Sequence, residues 1–214
     1  NNHISFINLS VNDGLSQCTV LSCAQDTLGR MWFATQDGLN LYDGYEFRTF
    51  RNDAQDSTSV ANNIIRKVYL DKSGNIWVGT GKGLSWYDAR SESFRNFATD
   101  DRAVTGIADT GDGRLMVAAG GDLLFFDKAA MRFDEGNVLQ YSGNIRVTEL
   151  FSDEEGVWIG TAADGVLCWS PDNNGVRRIF SPGGGRNMVQ AILRNGDQLW
   201  IATEGDGLWM YDIK

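Results

Sequence analysis

The chain has 214 residues, 42% of them hydrophobic, and a formal net charge of −9. That apolar fraction suits a folded core rather than disorder, and an acidic chain without a basic run is a poor partner for nucleic acid. No run reaches the roughly 20 apolar residues that a membrane helix needs. The 25 glycines, 2 prolines and 11% aromatic residues favour one all-β domain of short strands and tight turns.

The first predicted elements, read from the N-terminus, are a short strand over residues 4–10 and a four-stranded unit over 17–52. Glycine-containing turns separate the strands of this unit, because such pairs supply the positive φ angles of tight hairpins. The four strands, named a to d, are Thr19–Gln25, the strand that contains Trp32, Leu39–Tyr42 and the strand of Phe47 and Phe50.

The same unit recurs along the rest of the chain with a mean period of 42 residues. A four-stranded unit of this length, repeated in tandem, is typical of the blades of a β-propeller. We therefore predict an all-β propeller of about five four-stranded antiparallel blades. The four further blades are predicted over 62–98, 102–140, 144–181 and 187–214.

Strand b of each unit carries a large apolar residue that we interpret as the anchor between neighbouring blades. The anchor and a small residue two positions later share one face of the strand, and a tryptophan can bury about 150–250 Å² there. The third anchor is a methionine, which is smaller, so we predict that the third blade is the most loosely packed. The anchors are Trp32, Trp77, Met116, Trp158 and Trp200.

The last unit ends after strand c, and the N-terminal segment offers a replacement for its outer strand. Phe6 and Leu9 resemble the phenylalanine pair of strand d, and a propeller can protect its edge by letting one terminus complete the last blade. Pairing of residues 4–10 with Leu208–Tyr211 would give a closed ring of five blades. The alternative is a segment of a longer, seven-bladed ring, and the sequence leaves both open.

The three cysteines, Cys18, Cys23 and Cys168, are too few and too irregular for a disulfide framework. Cys18 and Cys23 point to opposite faces of one predicted strand and cannot bridge. We predict three free and mostly buried thiols. His3 is the only histidine, so we predict no metal site, no cofactor and no Ser-His-Asp triad.

Polar side chains lie where each predicted blade begins. Loops into strand a and turns between strands b and c meet at one mouth of a propeller channel, where amides and guanidinium groups suit sugar hydroxyls and acidic sugar groups. We predict ligand binding there, and the alternative is a hydrated mouth without a dedicated ligand. The candidates are Gln17, Asn62, Asn63, Arg102, Asn144, Arg146, Arg186 and Asn187.

An enzymatic propeller is the competing hypothesis. A glycoside hydrolase needs two carboxylates about 5–10 Å apart across a sugar, whereas most acidic residues here lie in turns, where aspartate is ordinary turn chemistry. Glu149, inside a predicted strand a, is the exception. The run 183–185 of glycines lacks the strand–helix context of a phosphate loop. We predict no catalytic residue.

Three stretches carry a family resemblance: Asp13–Gln17, Trp32–Leu39 and Tyr42–Tyr45. They resemble the regulator-propeller repeats of hybrid two-component sensors, and Ser57–Asn63 is similar to the segment that leads into the second repeat of that family. The resemblance covers essentially the whole chain. It is specific because five copies agree in order and spacing.

The resemblance implies the N-terminal sensory part of a periplasmic region whose parent lies in the inner membrane. Such parents resemble one another in having two seven-bladed propellers, a sensor histidine kinase with a phosphorelay, and control of polysaccharide-utilisation genes. The implied partners are a glycan-derived oligosaccharide, the remaining sensor domains and a second copy of the chain. Five repeats, without a kinase or receiver, depart from that pattern. A non-binding scaffold or dimerisation propeller is the alternative, and a hydrolase or lyase is less favoured.

Overall fold

The computed structural model describes residues 6–139, 146–172, 175–180 and 188–213, without the side chains of 136–138. The described part contains strands, turns and a one-turn 3-10 helix over Val11–Asp13. Two compact units divide the chain, Asn1–Asn96 and Phe97–Lys214, and each is described by itself. The all-β prediction is confirmed.

The strands follow the predicted units closely. The first eight are β1 Val20–Gln25, β2 Met31–Thr35, β3 Gly38–Tyr42, β4 Phe47–Phe50, β5 Ile65–Leu70, β6 Ile76–Thr80, β7 Gly83–Asp88 and β8 Ser93–Phe97. The next eight are β9 Val104–Asp109, β10 Arg114–Ala119, β11 Asp122–Asp127, β12 Arg132–Val138, β13 Val147–Ser152, β14 Val157–Thr161, β15 Val166–Ser170 and β16 Gly175–Phe180. The last three are β17 Met188–Asn195, β18 Gln198–Glu204 and β19 Gly207–Asp212.

Each sheet is a simple meander in which consecutive strands pair. Four sheets have four strands in the orders β1-β2-β3-β4, β5-β6-β7-β8, β9-β10-β11-β12 and β13-β14-β15-β16. The fifth has three strands among the described residues, in the order β17-β18-β19. The pairings between strands a, b and c are antiparallel throughout. These sheets agree with the predicted architecture of antiparallel, blade-like meanders.

The predicted N-terminal strand does not form over the residues that the structure describes. Phe6–Ser10 belongs to no strand, and Phe6 is 94% exposed. Ser10 instead caps the helix Val11–Asp13, because its hydroxyl accepts from the Asn12 N–H and its own N–H donates to Asp13 at 2.8 Å. Residues 4 and 5 lie outside the described residues, and closure of a ring stays a prediction.

Three of the anchor tryptophans lie in the cores of their units. Trp32 is 0% exposed, and Trp77 and Trp158 are each 1% exposed. Trp32 shares a cluster with Leu39 and packs edge-on against Tyr87, with ring centroids 4.8 Å apart. The face of strand b that carries the anchor is therefore buried in each of these three sheets.

The third sheet is not the most loosely packed, so that prediction is wrong as judged by burial. Met116 is 0% exposed, because its flexible thioether chain fills the space available in the core. The fifth sheet is the more exposed one. Trp200 is only half-buried, and Leu208 and Met210 on its edge strand β19 are 63% and 54% exposed.

The small residue beside an anchor lets the next blade approach closely. A Cβ added to Gly160 on β14 would lie 2.7 Å from Cγ1 of Val189 on β17, which is closer than real Cβ contacts. Val189 is itself fully buried. Any side chain at Gly160 would therefore push these two blades of the second unit apart.

The threonine that ends strand b fastens the turn that follows. The Thr35 hydroxyl donates to the carbonyl oxygen of Gly38 at 2.8 Å, and Thr80 makes the same bond to Gly83 at 3.0 Å. Thr161 and Thr203 repeat it. The recurring threonine thus satisfies a carbonyl at the b–c turn and fixes the hairpin register.

All three thiols are free, but two are not buried. Cys18 and Cys23 are exposed and only Cys168 is buried, so the prediction of mostly buried thiols is wrong. Both exposed cysteines lie at or beside β1, and most positions of this strand are exposed among the described residues. Burial raises the pKa of the Cys168 thiol to about 11, which leaves it protonated and inert.

Candidate functional site

A buried or largely buried carboxylate at the end of strand a holds each of the three buried anchor tryptophans. The Trp32 indole N–H donates to Asp26 Oδ2 at 3.1 Å, and Trp77 donates to Asp71 at 3.0 Å. In the second unit Trp158 reaches Asp153 at 2.8 Å. A buried indole needs such an acceptor. The bond therefore fixes the anchor and places a charge at one end of the blade.

The third blade replaces both members of this pair together. Met116 pairs with Ala108 across the ladder, as Trp32 pairs with Ala24, so the equivalent of Asp26 is Thr110. Thr110 is 3% exposed and donates to the carbonyl oxygen of Arg114 at 2.9 Å. A methionine has no N–H to donate, so no buried carboxylate is needed at that position.

Asp26 accepts four hydrogen bonds, which is the capacity of a carboxylate. Its Oδ1 accepts from the backbone N–H groups of Leu28 and Arg30 at 3.0 and 2.9 Å. Its Oδ2 accepts from Arg30 Nε at 2.8 Å as well as from Trp32. Burial alone would raise the pKa of Asp26, but the bonds from Trp32 and Arg30 outweigh it and hold the pKa below the ordinary 3.8.

The lowered pKa of Asp26 predicts how the stability of the fold depends on pH. A carboxyl whose pKa is lower in the folded chain than the ordinary 3.8 stabilises the fold at pH values above 3.8. That stabilisation is lost as the pH falls from 3.8 through the lower pKa of the folded chain. We expect Asp26→Asn to destabilise the chain at neutral pH and the difference from wild type to shrink below about pH 4. Urea denaturation followed from pH 7 to pH 3 measures this, and a difference independent of pH would contradict it.

Asn62 and Asn63 lie at the end of the first unit that was predicted to bind ligand. Asn62 Oδ1 accepts from the Ile64 N–H at 2.9 Å, and a Cβ on Gly81 in the b–c turn would lie 2.9 Å from it. Asn63 Oδ1 accepts from the Asn52 N–H at 2.6 Å. The structure therefore brings both asparagines to the b–c turns, with their carbonyl oxygens engaged and both side chains half-buried.

Gln17 forms a local turn. Its Oε1 accepts from the Thr19 N–H at 2.6 Å and its Nε2 donates to the Thr19 hydroxyl at 3.3 Å. Its neighbour Ser16 contacts the b–c hairpin, since the Ser16 hydroxyl lies 3.0 Å from that of Thr35. Gln17 thus sits beside the predicted mouth of its blade with its amide used to shape the loop.

Arg102 and Arg146 differ in how much of their charge is engaged. The Arg102 guanidinium donates to Asp122 at 2.6 Å and to the Thr99 carbonyl at 2.8 Å, so it braces the third b–c turn. Arg146 is exposed, and its guanidinium lies 3.9 Å from Met188 Sδ, its one side-chain partner among the described residues. Its backbone carbonyl accepts from Ala162 in the b–c turn. Arg146 is the more available cation.

The remaining candidates are Asn144, Arg186 and Asn187, and they lie outside the described residues. The glycine run over 183–185 does so too. The ligand role of all eight candidates stays a prediction. Across the described ranges, loops and turns already engage the side-chain oxygens of Gln17, Asn62 and Asn63 and the guanidinium of Arg102.

A cavity at the other end of the first unit was missed by the sequence reasoning. It has a volume of about 460 Å³ and lies where the a–b turns of the first two blades meet the c–d turn of the second. Its walls include Asp26, Arg30, Trp86, Asp88 and Arg90. The signal was the recurrence of Asp five or six residues before each core tryptophan, which looks like turn chemistry when each copy is read alone.

Among the described residues, no group of three or more His, Cys, Asp or Glu side chains is arranged to hold a metal ion. None of their helices has the length and apolar character to cross a membrane.

The five meander sheets place the chain in the class of β-propellers. Residues 59–82 match the family described as "Two component regulator propeller", and the resemblance inferred from the sequence is thereby confirmed. A 61-residue stretch is 43% identical to Histidine kinase P4 of Formosa agariphila, covering 28% of this chain and 4% of that protein.

Solved structures agree with this assignment. The extracellular domain of the hybrid two component system BT3049 from B. thetaiotaomicron matches over 97% of this chain and 35% of its own, with a TM-score of 0.63 and 25% identity. Virginiamycin B lyase of Staphylococcus aureus matches over 91% of this chain and 66% of its own, with a TM-score of 0.71. At 14% identity that likeness shows the fold alone. The chain spans about a third of the solved extracellular domain.

Proposed function

We propose that the chain is a sensory segment of the extracellular region of a hybrid two-component system and that it binds a glycan-derived oligosaccharide. The observation that carries the proposal is the match, over 97% of the chain, to an extracellular domain of such a system. The family match at 59–82 supports it. In this proposal the segment lies in the periplasm, and kinase, phosphorelay and gene-regulatory activities belong to other parts of the parent protein.

Polar groups at the predicted mouth support binding rather than catalysis. Arg146 offers an exposed guanidinium beside the b–c turn of the fourth blade, which suits sugar hydroxyls and carboxylates. Glu149 lies on β13, opposite Gly160 of β14. A hydrolase would need a second carboxylate about 5–10 Å away, facing it across a sugar.

The expected result is that a cognate oligosaccharide raises the melting temperature of the purified chain. A ligand present at about 100 times its Kd stabilises the folded state by about 2.7 kcal/mol. Thermal melts across a panel of neutral and acidic glycans measure this. Arg146→Ala, Asn144→Ala and Arg186→Ala should weaken binding without lowering the melting temperature of the free chain.

The same panel separates the alternatives. No stabilisation by any glycan would contradict the proposal and favour a scaffold or dimerisation role. Release of new reducing ends during incubation would reveal a hydrolase or lyase instead. Arg132→Ala, an exposed arginine on β12, is the control for loss of a surface charge.

A further inference from the structure

The cavity of the first unit has the volume and the lining side chains expected of a small-ligand site. Its volume of about 460 Å³ lies within the roughly 300–1,000 Å³ typical of ligand pockets. Successive blades build it jointly: a Cβ on Gly74 in the second a–b turn would lie 3.1 Å from Thr27 Cγ2 in the first. The walls are therefore fixed by turns that already touch each other.

The carboxylates in its walls are already occupied. Asp26 accepts four internal hydrogen bonds, as described above. Asp88 Oδ1 accepts from the Arg90 N–H at 2.9 Å, and its Oδ2 accepts from the Ser91 hydroxyl at 2.9 Å. Acceptors satisfied in this way offer little to a cation, so the cavity is not built to take one.

The two arginines in the walls, in contrast, have N–H groups that are not hydrogen-bonded to other described residues. Arg30 uses Nε toward Asp26, and neither of its Nη atoms has a hydrogen bond to another described residue. Arg90 is exposed, and its guanidinium has no ion pair within the described ranges. An arginine has five N–H donors in a planar fork that matches a carboxylate. The cavity therefore presents unpaired donors for an anionic group.

An aromatic wall lies beside these donors. Trp86 is half-buried and lines the cavity, and it is backed by Trp77 with ring centroids 6.5 Å apart. Tyr87 and Trp32, also in the lining, are 5% and 0% exposed. A partly exposed indole held by a second indole gives a rigid apolar face at small entropic cost.

We propose that this cavity binds a uronic-acid saccharide, with its carboxylate on Arg30 and Arg90 and the apolar face of its sugar ring on Trp86. The inference rests on the proposed function, because it names the class of glycan that the chain recognises. It adds a second site at the a–b and c–d turns, distinct from the mouth predicted from the sequence, and Arg146→Ala should leave binding at this second site unchanged. Guanidinium forks supply the charge recognition and the indole supplies the ring contact.

The test is calorimetric titration of the whole chain with trigalacturonate and, in parallel, with a hyaluronan tetrasaccharide. Wild type should bind at least one of these probes. The fully methyl-esterified form of trigalacturonate should bind more weakly if that probe is the one bound, because esterification removes the charge but keeps the ring. Arg90→Gln should weaken binding by about tenfold or more, the worth of a hydrogen bond to a charged group.

Controls separate this inference from the proposed function. Arg132→Gln should bind as wild type does, and an unchanged melting temperature of free Arg90→Gln shows that the turn still folds. Binding of neutral glycans alone, or acidic binding that Arg90→Gln leaves unchanged, overturns the cavity assignment while glycan sensing stands. Equal competition by inorganic phosphate overturns the preference for a saccharide. No binding of any glycan removes both proposals.

Discussion

Replacing Trp32 with alanine should lower the free energy of unfolding of the first unit by about 3–5 kcal/mol, the range for truncating a buried tryptophan. Trp32 is 0% exposed; it stacks on Phe50 with ring centroids 5.8 Å apart and packs edge-on against Tyr87 at 4.8 Å. Its removal opens a cavity in a core that cannot collapse freely. It also deprives the buried Asp26 of the indole N–H, which adds the cost of an unmet acceptor.

Urea denaturation followed by circular dichroism measures this loss. Trp209→Ala is the matched control, since Trp209 is 39% exposed and has one described aromatic contact, to Phe180 at 5.1 Å. We expect it to cost about 1 kcal/mol, close to the value of one aromatic pair. Equal losses for the two variants would show that Trp32 is not a core anchor.

Replacing Lys128 with methionine should lower the free energy of unfolding of the second unit by about 3 kcal/mol, as expected when one partner of a buried ion pair is removed. Lys128 Nζ lies 2.6 Å from Asp109 Oδ2, and the side chains are 18% and 3% exposed. Asp109 also accepts from the Gly111 N–H at 3.0 Å. Without the ammonium group, the buried Asp109 carboxylate loses the attraction of Lys128.

The double variant Asp109→Asn with Lys128→Met distinguishes an ion pair from mere packing. It should be more stable than Lys128→Met alone, because it also removes the carboxylate whose attraction to Lys128 has been lost. Arg51→Met breaks an exposed pair with Asp37, whose side chains are 49% and 47% exposed, and should cost at most about 1 kcal/mol. If Lys128→Met were as stable as wild type, the ion pair between Lys128 and Asp109 would not stabilise the fold, which would contradict this prediction.

The sequence predicted where the candidate binding residues lie along the chain, but not which of their side-chain atoms are already hydrogen-bonded within the protein. Asn62 and Asn63 do lie beside b–c turns, but their oxygens are engaged by Ile64 and Asn52. Whether a polar side chain finds hydrogen-bond partners within the protein depends on the geometry of the loops, which the spacing of residues in the sequence does not encode. The cavity was missed because its walls come from two different repeats, so Arg30 and Arg90 are 60 residues apart in the sequence and meet only through blade packing.

The repeat alone determined the strands, their order within each sheet and the buried face, because alternation and turn residues act over a few neighbouring positions. Tertiary structure decided which anchors are covered: Trp158 is buried whereas Trp200, with a similar local sequence, is half-buried. It also placed Thr110 at the position equivalent to Asp26 and brought Lys128 within 2.6 Å of Asp109. Burial and counterions depend on what packs from elsewhere in the chain, and a local pattern cannot specify that.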